Sequence, residues 1–146
     1  MVQVIVNPAA AVGRVAREWP RVAELLAATG VRHEVVFTRA PGHATELARA
    51  AAAGGAGVVL AVGGDGTACE AAEGLVGGAP PEGRPALAIL PMGTGNDLCR
   101  TLGVPLRVEE AVGVAAGGAR RRVDVIAVGE RLVVNAVGIG LVGDIN

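Results

Sequence analysis

The sequence predicts an α/β protein: a doubly wound, mostly parallel sheet, followed by the start of an incomplete β domain. Three observations lead there. Short β-branched runs alternate with helix-periodic stretches in the order βαβαβαβα up to Ala116, the signature of a parallel sheet covered by helices on both faces. The chain is 51% hydrophobic, yet Trp19 and Phe37 are its only aromatic residues; alanine, valine, leucine and 23 glycines supply the rest, and small residues let helices lie close to a sheet. After Gly117-Gly118 the texture changes to two short strand-like runs about a Gly129-Glu130 turn. A boundary near Gly118 therefore separates residues 1–118 from 119–146.

Val2–Val6 reads as the first strand, closed by Asn7-Pro8. A helix over about Arg17–Thr29 follows, with Trp19, Val22 and Leu26 on one face; Pro20 fits only in its first turn, where a missing N–H costs nothing. His33–Phe37 is the second strand. The Pro41-Gly42 turn starts a helix over His43–Ala53, with Ala44, Leu47, Ala48 and Ala51 as its buried stripe. Val58–Val62 is a continuous apolar run suited to a central strand, and Gly63–Thr67 turns straight into a third helix ending near Gly77-Gly78. A proline-rich loop leads to strand Ala86–Leu90. Pro91–Gly95 then turns into a short helix, Asn96–Leu102, and a further helix fits Val108–Ala116. Val123–Val128 and Leu132–Val137 form the expected hairpin.

Bulk properties exclude several classes. At 146 residues and net charge −1, nothing suggests nucleic-acid binding. No apolar run approaches the roughly 20 residues that span a bilayer, and Val2–Val6 is too short for a signal peptide. Cys69 and Cys99 have no metal-like spacing, so they read as buried small residues in a reducing cytoplasm. All 13 basic residues are arginine. Without lysine there is neither a Walker A loop nor the strand lysine of a protein kinase.

Two segments carry chemistry. The first is the buried strand running into Gly63-Gly64-Asp65-Gly66-Thr67. Its glycines let the backbone approach a ligand closely, and the following helix adds the positive end of its dipole: a phosphate cradle without lysine. Asp65 beside a polyphosphate is repulsive unless a cation such as Mg²⁺ bridges the two or the carboxylate accepts a hydrogen bond. The plainer reading makes it the cap of a helix beginning at Thr67. The second segment, Pro91-Met92-Gly93-Thr94-Gly95-Asn96-Asp97, repeats the strand–glycine–helix geometry. Gly93 and Gly95 free the backbone, Thr94 offers a hydroxyl, and Asn96 and Asp97 orient neighbours or cap a helix. Alone it is a capped turn; at the carboxyl end of a neighbouring strand it converges with the first loop on one ligand.

Asn7-Pro8, Gly63–Thr67 with Glu70 following, and Pro91-x-Gly93-Thr94-x-Asn96-Asp97 together resemble the diacylglycerol kinase catalytic domain. That family also takes in sphingosine and ceramide kinases and bacterial lipid kinases. Thr38 with Gly42-His43-Ala44, Asp124, and Asn135 ahead of Gly138-Ile139-Gly140 extend the similarity over about residues 4–140. The resemblance implies a fold like NAD kinase and phosphofructokinase, and ATP- and Mg²⁺-dependent phosphorylation of a lipid hydroxyl, of diacylglycerol or a similar acceptor. By matching position, Asn7, Thr38, Gly63–Thr67, Glu70 and Thr94 contact the nucleotide, with Asp65 as the catalytic residue near the transferred phosphate. Two departures weaken the match locally: Cys69 replaces the asparagine usual before Glu70, and Ala9-Ala10-Ala11 stands where serine-glycine is common. The family continues into a β-sandwich that supplies the lipid cleft, a metal site and the proposed base, whereas this sequence ends at Asn146.

Two other readings compete: an NAD kinase-like enzyme, which shares the Gly-Gly-Asp-Gly-Thr turn, and a truncated, non-catalytic nucleotide-binding domain. In the latter, Val133, Val137 and Leu141 expose apolar strand surface and favour self-association. The formal Gly138-x-Gly140-x-x-Gly143 match lacks the helix and second strand of a dinucleotide site. His33 reads as structural and His43 as a capping or surface residue. Arg120-Arg121-Arg122 reads as a solvated strand start, with attraction of lipid headgroups or of a nucleotide phosphate as its functional alternative.

Overall fold

The computed structural model describes residues 1–118 and 120–136. Four parallel strands form one sheet: β1 (Val2–Val6), β2 (His33–Phe37), β3 (Val58–Gly63) and β4 (Ala86–Pro91), in the spatial order β2-β1-β3-β4. The chain leaves β1 for β2 on one side and returns to β3 on the other, so strand order reverses between β1 and β3. The carboxyl ends of those two strands open the crevice where doubly wound sheets bind ligands.

Helices cover both faces, as expected. On one side α1 (Ala10–Ala28) and α5 (Val108–Gly117) place Val15, Val22, Leu26, Ala111 and Val112 against Val4, Val6, Leu60, Val62 and Leu90, all buried. On the other, α2 (His43–Ala53) and α3 (Asp65–Gly78) pack Ala44, Ala48, Ala51, Ala71 and Leu75 against Ile5, Val59 and Ala61. Leu47 of the expected stripe packs at the margin of this cluster. The α2–α3 approach is as close as backbone permits. A Cβ on Gly74 would overlap the Thr45 carbonyl oxygen, and one on Gly78 would lie 3.0 Å from Arg49 Cα. Short α4 (Asp97–Leu102) buries Leu98 and Cys99 against Ala68 and Ile89.

The first helix differs from the expectation. Backbone turning begins at Ala10, and Ala11, Val12 and Gly13 occupy the left-handed region at φ 50°, 54° and 75°, so regular helix starts at Arg14. Pro20 therefore lies inside the helix, not in its first turn. Burial of Val15, Val22 and Leu26 holds the helix across the missing N–H, and Trp19 meets Phe37 of β2 edge to face, ring centroids 5.7 Å apart. The remaining boundaries fall within a residue or two of expectation up to α5.

Beyond α5, β5 (Ile126–Val128) and β6 (Arg131–Val133) pair antiparallel around Gly129-Glu130. They are shorter than the sequence suggests. Arg131 and the Leu132 N–H both bond Glu73 of α3, at 2.9 and 3.4 Å. Val137, the glycines at 138, 140 and 143, and Leu141 lie outside the described residues. No helix among the described residues is long and apolar enough to cross a membrane.

Candidate functional site

Three strand ends converge. The sheet ladder runs one residue past each strand: the Asn7 N–H donates to Val62 O (3.0 Å), Met92 N–H to Gly63 O (2.8 Å) and Thr38 N–H to Val6 O (2.8 Å). The residues that follow are thereby brought to one edge with their backbone direction set.

Asn7 makes two kinds of contact. Its Oδ1 accepts from the Ala9 N–H at 3.1 Å, an Asx turn that swings the chain towards α1. Its Nδ2 donates to Thr67 Oγ1 at 2.9 Å, tying the first strand's end to the start of α3. Thr67 is buried, and a Cβ on Gly63 would lie 2.9 Å from the Thr67 Cβ, so glycine is required there for the threonine to fold back over the strand.

The two glycine loops interlock. A Cβ on Gly93 would overlap Gly64 Cα, and one on Gly64 would lie 3.1 Å from Gly93 Cα. Asn96, itself at φ 55°, closes its own loop by accepting from the Gly93 N–H (2.9 Å) and donating to the Gly93 carbonyl (3.0 Å).

Asp65 is the hinge of the arrangement, in a role the sequence did not suggest. It is the first residue of α3, and its carboxylate caps α4 instead of α3: Oδ2 accepts from the Asp97 N–H (3.1 Å) and Oδ1 from the Leu98 N–H (2.9 Å). Among the described residues no side chain accepts from the first N–H groups of α3, where Gly66 is exposed. Asp97 Oδ2 lies on the same side. A Cβ on Gly95 would sit 3.2 Å from Asp65 Oδ2 and 3.3 Å from Asp97 Oδ2, so two carboxylates flank that glycine. Cys99 lies behind them; its burial, and then the charge of Asp65, push its thiol up to about 11, although Arg100 pulls the other way. It stays a protonated thiol.

Glu70 and Thr38 stand apart from the glycine loops. Glu70 caps α2, its two oxygens accepting from the N–H groups of Gly42 (2.9 Å) and Ala44 (3.2 Å). Thr38 is buried at the end of β2, beside Asn7 through the ladder. His43 accepts from the Arg39 N–H through Nδ1 at 3.0 Å, a local turn contact. Thr94 is exposed at the rim of the second loop.

One site residue escaped the sequence altogether. Arg14 reaches from α1 to the second loop, its Nη2 donating to the carbonyls of Met92 (3.1 Å) and Gly93 (3.3 Å). Locally it reads as half of a surface ion pair with Glu18, 3.7 Å away. No local pattern points to partners 78 and 79 residues distant.

A parallel four-stranded sheet flanked by helices, with two interlocked glycine loops at its switch point, defines an α/β domain of the doubly wound class. Residues 1–128 match the diacylglycerol kinase catalytic domain, and the chain belongs to that family. It is 31% identical over 139 residues to the diacylglycerol kinase of Bacillus subtilis, covering 94% of this chain and 45% of that protein. To a Chromohalobacter salexigens protein named "Probable lipid kinase YegS-like" it is 45% identical over 94 residues, 64% of this chain and 30% of the other. The crystal structure of a diacylglycerol kinase from Bacillus anthracis superposes with a TM-score of 0.76 at 36% identity, covering 90% of this chain and 44% of that one. The chain thus spans less than half the length of these relatives.

Proposed function

We propose that the chain is the nucleotide-binding half of an ATP-dependent lipid kinase that transfers the γ-phosphate to the hydroxyl of diacylglycerol or a similar lipid. The observation that carries this reading is the convergence of the uncapped α3 N-terminus with the interlocked loops at Gly64 and Gly93. Backbone N–H groups at 65–67 and the helix dipole suit a polyphosphate, and Asn7 holds Thr67 in place beneath it. Transfer then depends on positioning: phosphates fixed by backbone, acceptor hydroxyl in line.

The donor set fits Mg²⁺, which is commonly held by one or two carboxylates together with substrate phosphates. Asp65 and Asp97, flanking Gly95, would hold it, and when bound it would neutralise charge on the phosphates. In this reading Asp65 serves twice: it accepts from the α4 backbone and keeps a free lone pair on each oxygen for the cation. Thr38, Glu70 and Thr94 line the nucleotide's remaining length, Glu70 by holding the turn before α2. Residues 1–118 form the nucleotide domain, and 119–146 begin the domain that completes the lipid cleft. Peripheral membrane contact and a reducing cytoplasmic setting belong to the same proposal, as does self-association; of the residues expected to drive it, Val133 is half-buried and Val137 and Leu141 lie outside the described residues, while Ile126 and Val128 of the hairpin are exposed.

Calorimetric titration of MgATP into the wild-type chain and an Asp65→Asn variant tests it. Saturable, Mg²⁺-dependent binding that weakens in the variant is expected. A folded wild-type chain that binds no nucleotide overturns the reading and favours a non-catalytic domain.

A further inference from the structure

The geometry points to Arg14 as a positioning residue that sets the peptide between Gly93 and Thr94, aiming the Thr94 N–H at the mouth of the phosphate cradle. This rests on the nucleotide reading above. The argument is one of peptide planes. In a trans peptide the C=O and N–H point in opposite directions. The Met92 carbonyl faces Arg14 at 3.1 Å, and the N–H of the same peptide, that of Gly93, turns away to Asn96 Oδ1 at 2.9 Å. That plane is held at both ends.

The next plane is held at one end only. The Gly93 carbonyl accepts from Arg14 at 3.3 Å and from Asn96 Nδ2 at 3.0 Å, which sends the Thr94 N–H the opposite way. Among the described residues no hydrogen bond engages that N–H, and Thr94 is exposed. It is the donor left for a ligand. Glycine at 93 makes such a restraint necessary, because a residue without Cβ lets the adjoining peptide rotate through conformations closed to other residues. Asn96 alone belongs to the same short loop and moves with it; Arg14 ties the loop to a long helix packed on the sheet. The contact has a cost, since among the described residues Arg14 Nε is buried without a hydrogen-bond partner and has only the longer ion-pair contact with Glu18 at 3.7 Å. Both bonds leave Nη2, whose two N–H hydrogens have directions fixed by the planar guanidinium, so the two carbonyls are held in one relative orientation.

The test is a set of ¹H–¹⁵N spectra and MgATP titrations on the whole chain with Arg14→Met and Arg14→Lys. In the unliganded spectra both variants are expected to shift the Gly93 and Thr94 amides while amides of β1 and α2 stay in place, which also certifies folding. ATP affinity is expected to fall about tenfold in both, the loss of roughly one hydrogen-bonded restraint. Unmoved Gly93 and Thr94 amides overturn the proposal. So does full recovery of affinity by lysine, whose rotatable ammonium can donate but fixes no direction, because the loop would then not depend on the guanidinium's set geometry. Absence of binding by the wild type removes the nucleotide role too, but is read from the wild-type titration and not from any variant.

Discussion

Replacing Asp65 by alanine removes the acceptor for two backbone N–H groups lying 32 and 33 positions further along the chain. The Asp97 N–H is exposed, so water replaces most of that bond, whereas the Leu98 N–H is part-buried and is left with a poorer partner. Hydrogen bonds to a charged group contribute roughly 1.5–3 kcal/mol when solvent is excluded, and helix caps typically about 1. Allowing for exposure, the substitution should destabilise the fold by about 2–3 kcal/mol, including roughly 0.5 for the lost charge at the α4 N-terminus. At this chain length each kcal/mol lowers Tm by about 3 °C, so a fall of roughly 6–9 °C follows. Asparagine retains one acceptor and should lie about halfway. Asp97→Ala is the control: its carboxylate is 70% exposed and, among the described residues, pairs only with Arg100 at 3.3 Å, worth at most about 0.5 kcal/mol. Thermal and urea unfolding followed by circular dichroism measure all three. If Asp65→Ala comes within about 0.5 kcal/mol of wild type, or matches Asp97→Ala, the carboxylate does not join the loops as described.

Gly93→Ala forces a Cβ into Gly64 Cα, and overpacking of this kind costs about 1–3 kcal/mol; urea midpoints should fall and nucleotide affinity should fall with them, whereas Gly83→Ala, which meets open space, should change neither. Val12 is 95% exposed and sits at φ 54°, so Val12→Asn forfeits no packing and relieves a β-branched residue in the left-handed region; a stability gain of about 1 kcal/mol is expected in the same unfolding assay. Cys99 titrates at about 11 when folded against 9.0 for the free group, so the unfolded chain ionises first. Stability from this group is intact below pH 9 and declines from there to pH 11; Cys99→Ala should lower stability at neutral pH but flatten that decline.

Periodicity and punctuation made most of the fold legible. Apolar runs located all four sheet strands: β3 is apolar throughout because both its faces are buried, and edge strand β2 shows only the Val35-Val36-Phe37 run; Gly54-Gly55 and Gly103 mark helix ends by left-handed or turn geometry that other residues resist. The first helix was misjudged for a physical reason. Ala11 and Val12 hold positive φ without being glycine, so nothing in their identity announces the turn, and Pro20 points to a later start.

The site divides in the same way. Sequence by itself determined which backbone segments could come this close to one another, since only glycines at 63, 64, 93 and 95 permit such contacts, and it determined the strand-to-loop-to-helix order that puts them at one sheet edge. Tertiary structure alone decided what the side chains do there. Asp65 caps α4, Glu70 caps α2, Asn7 holds Thr67 across 60 positions, and Arg14 reaches carbonyls 78 and 79 positions away. A carboxylate or guanidinium has the same local signature whether it meets water, a cation or a distant backbone group. Its partner is set by which loops the packed sheet brings within 3 Å, and that distance is not written in any local spacing.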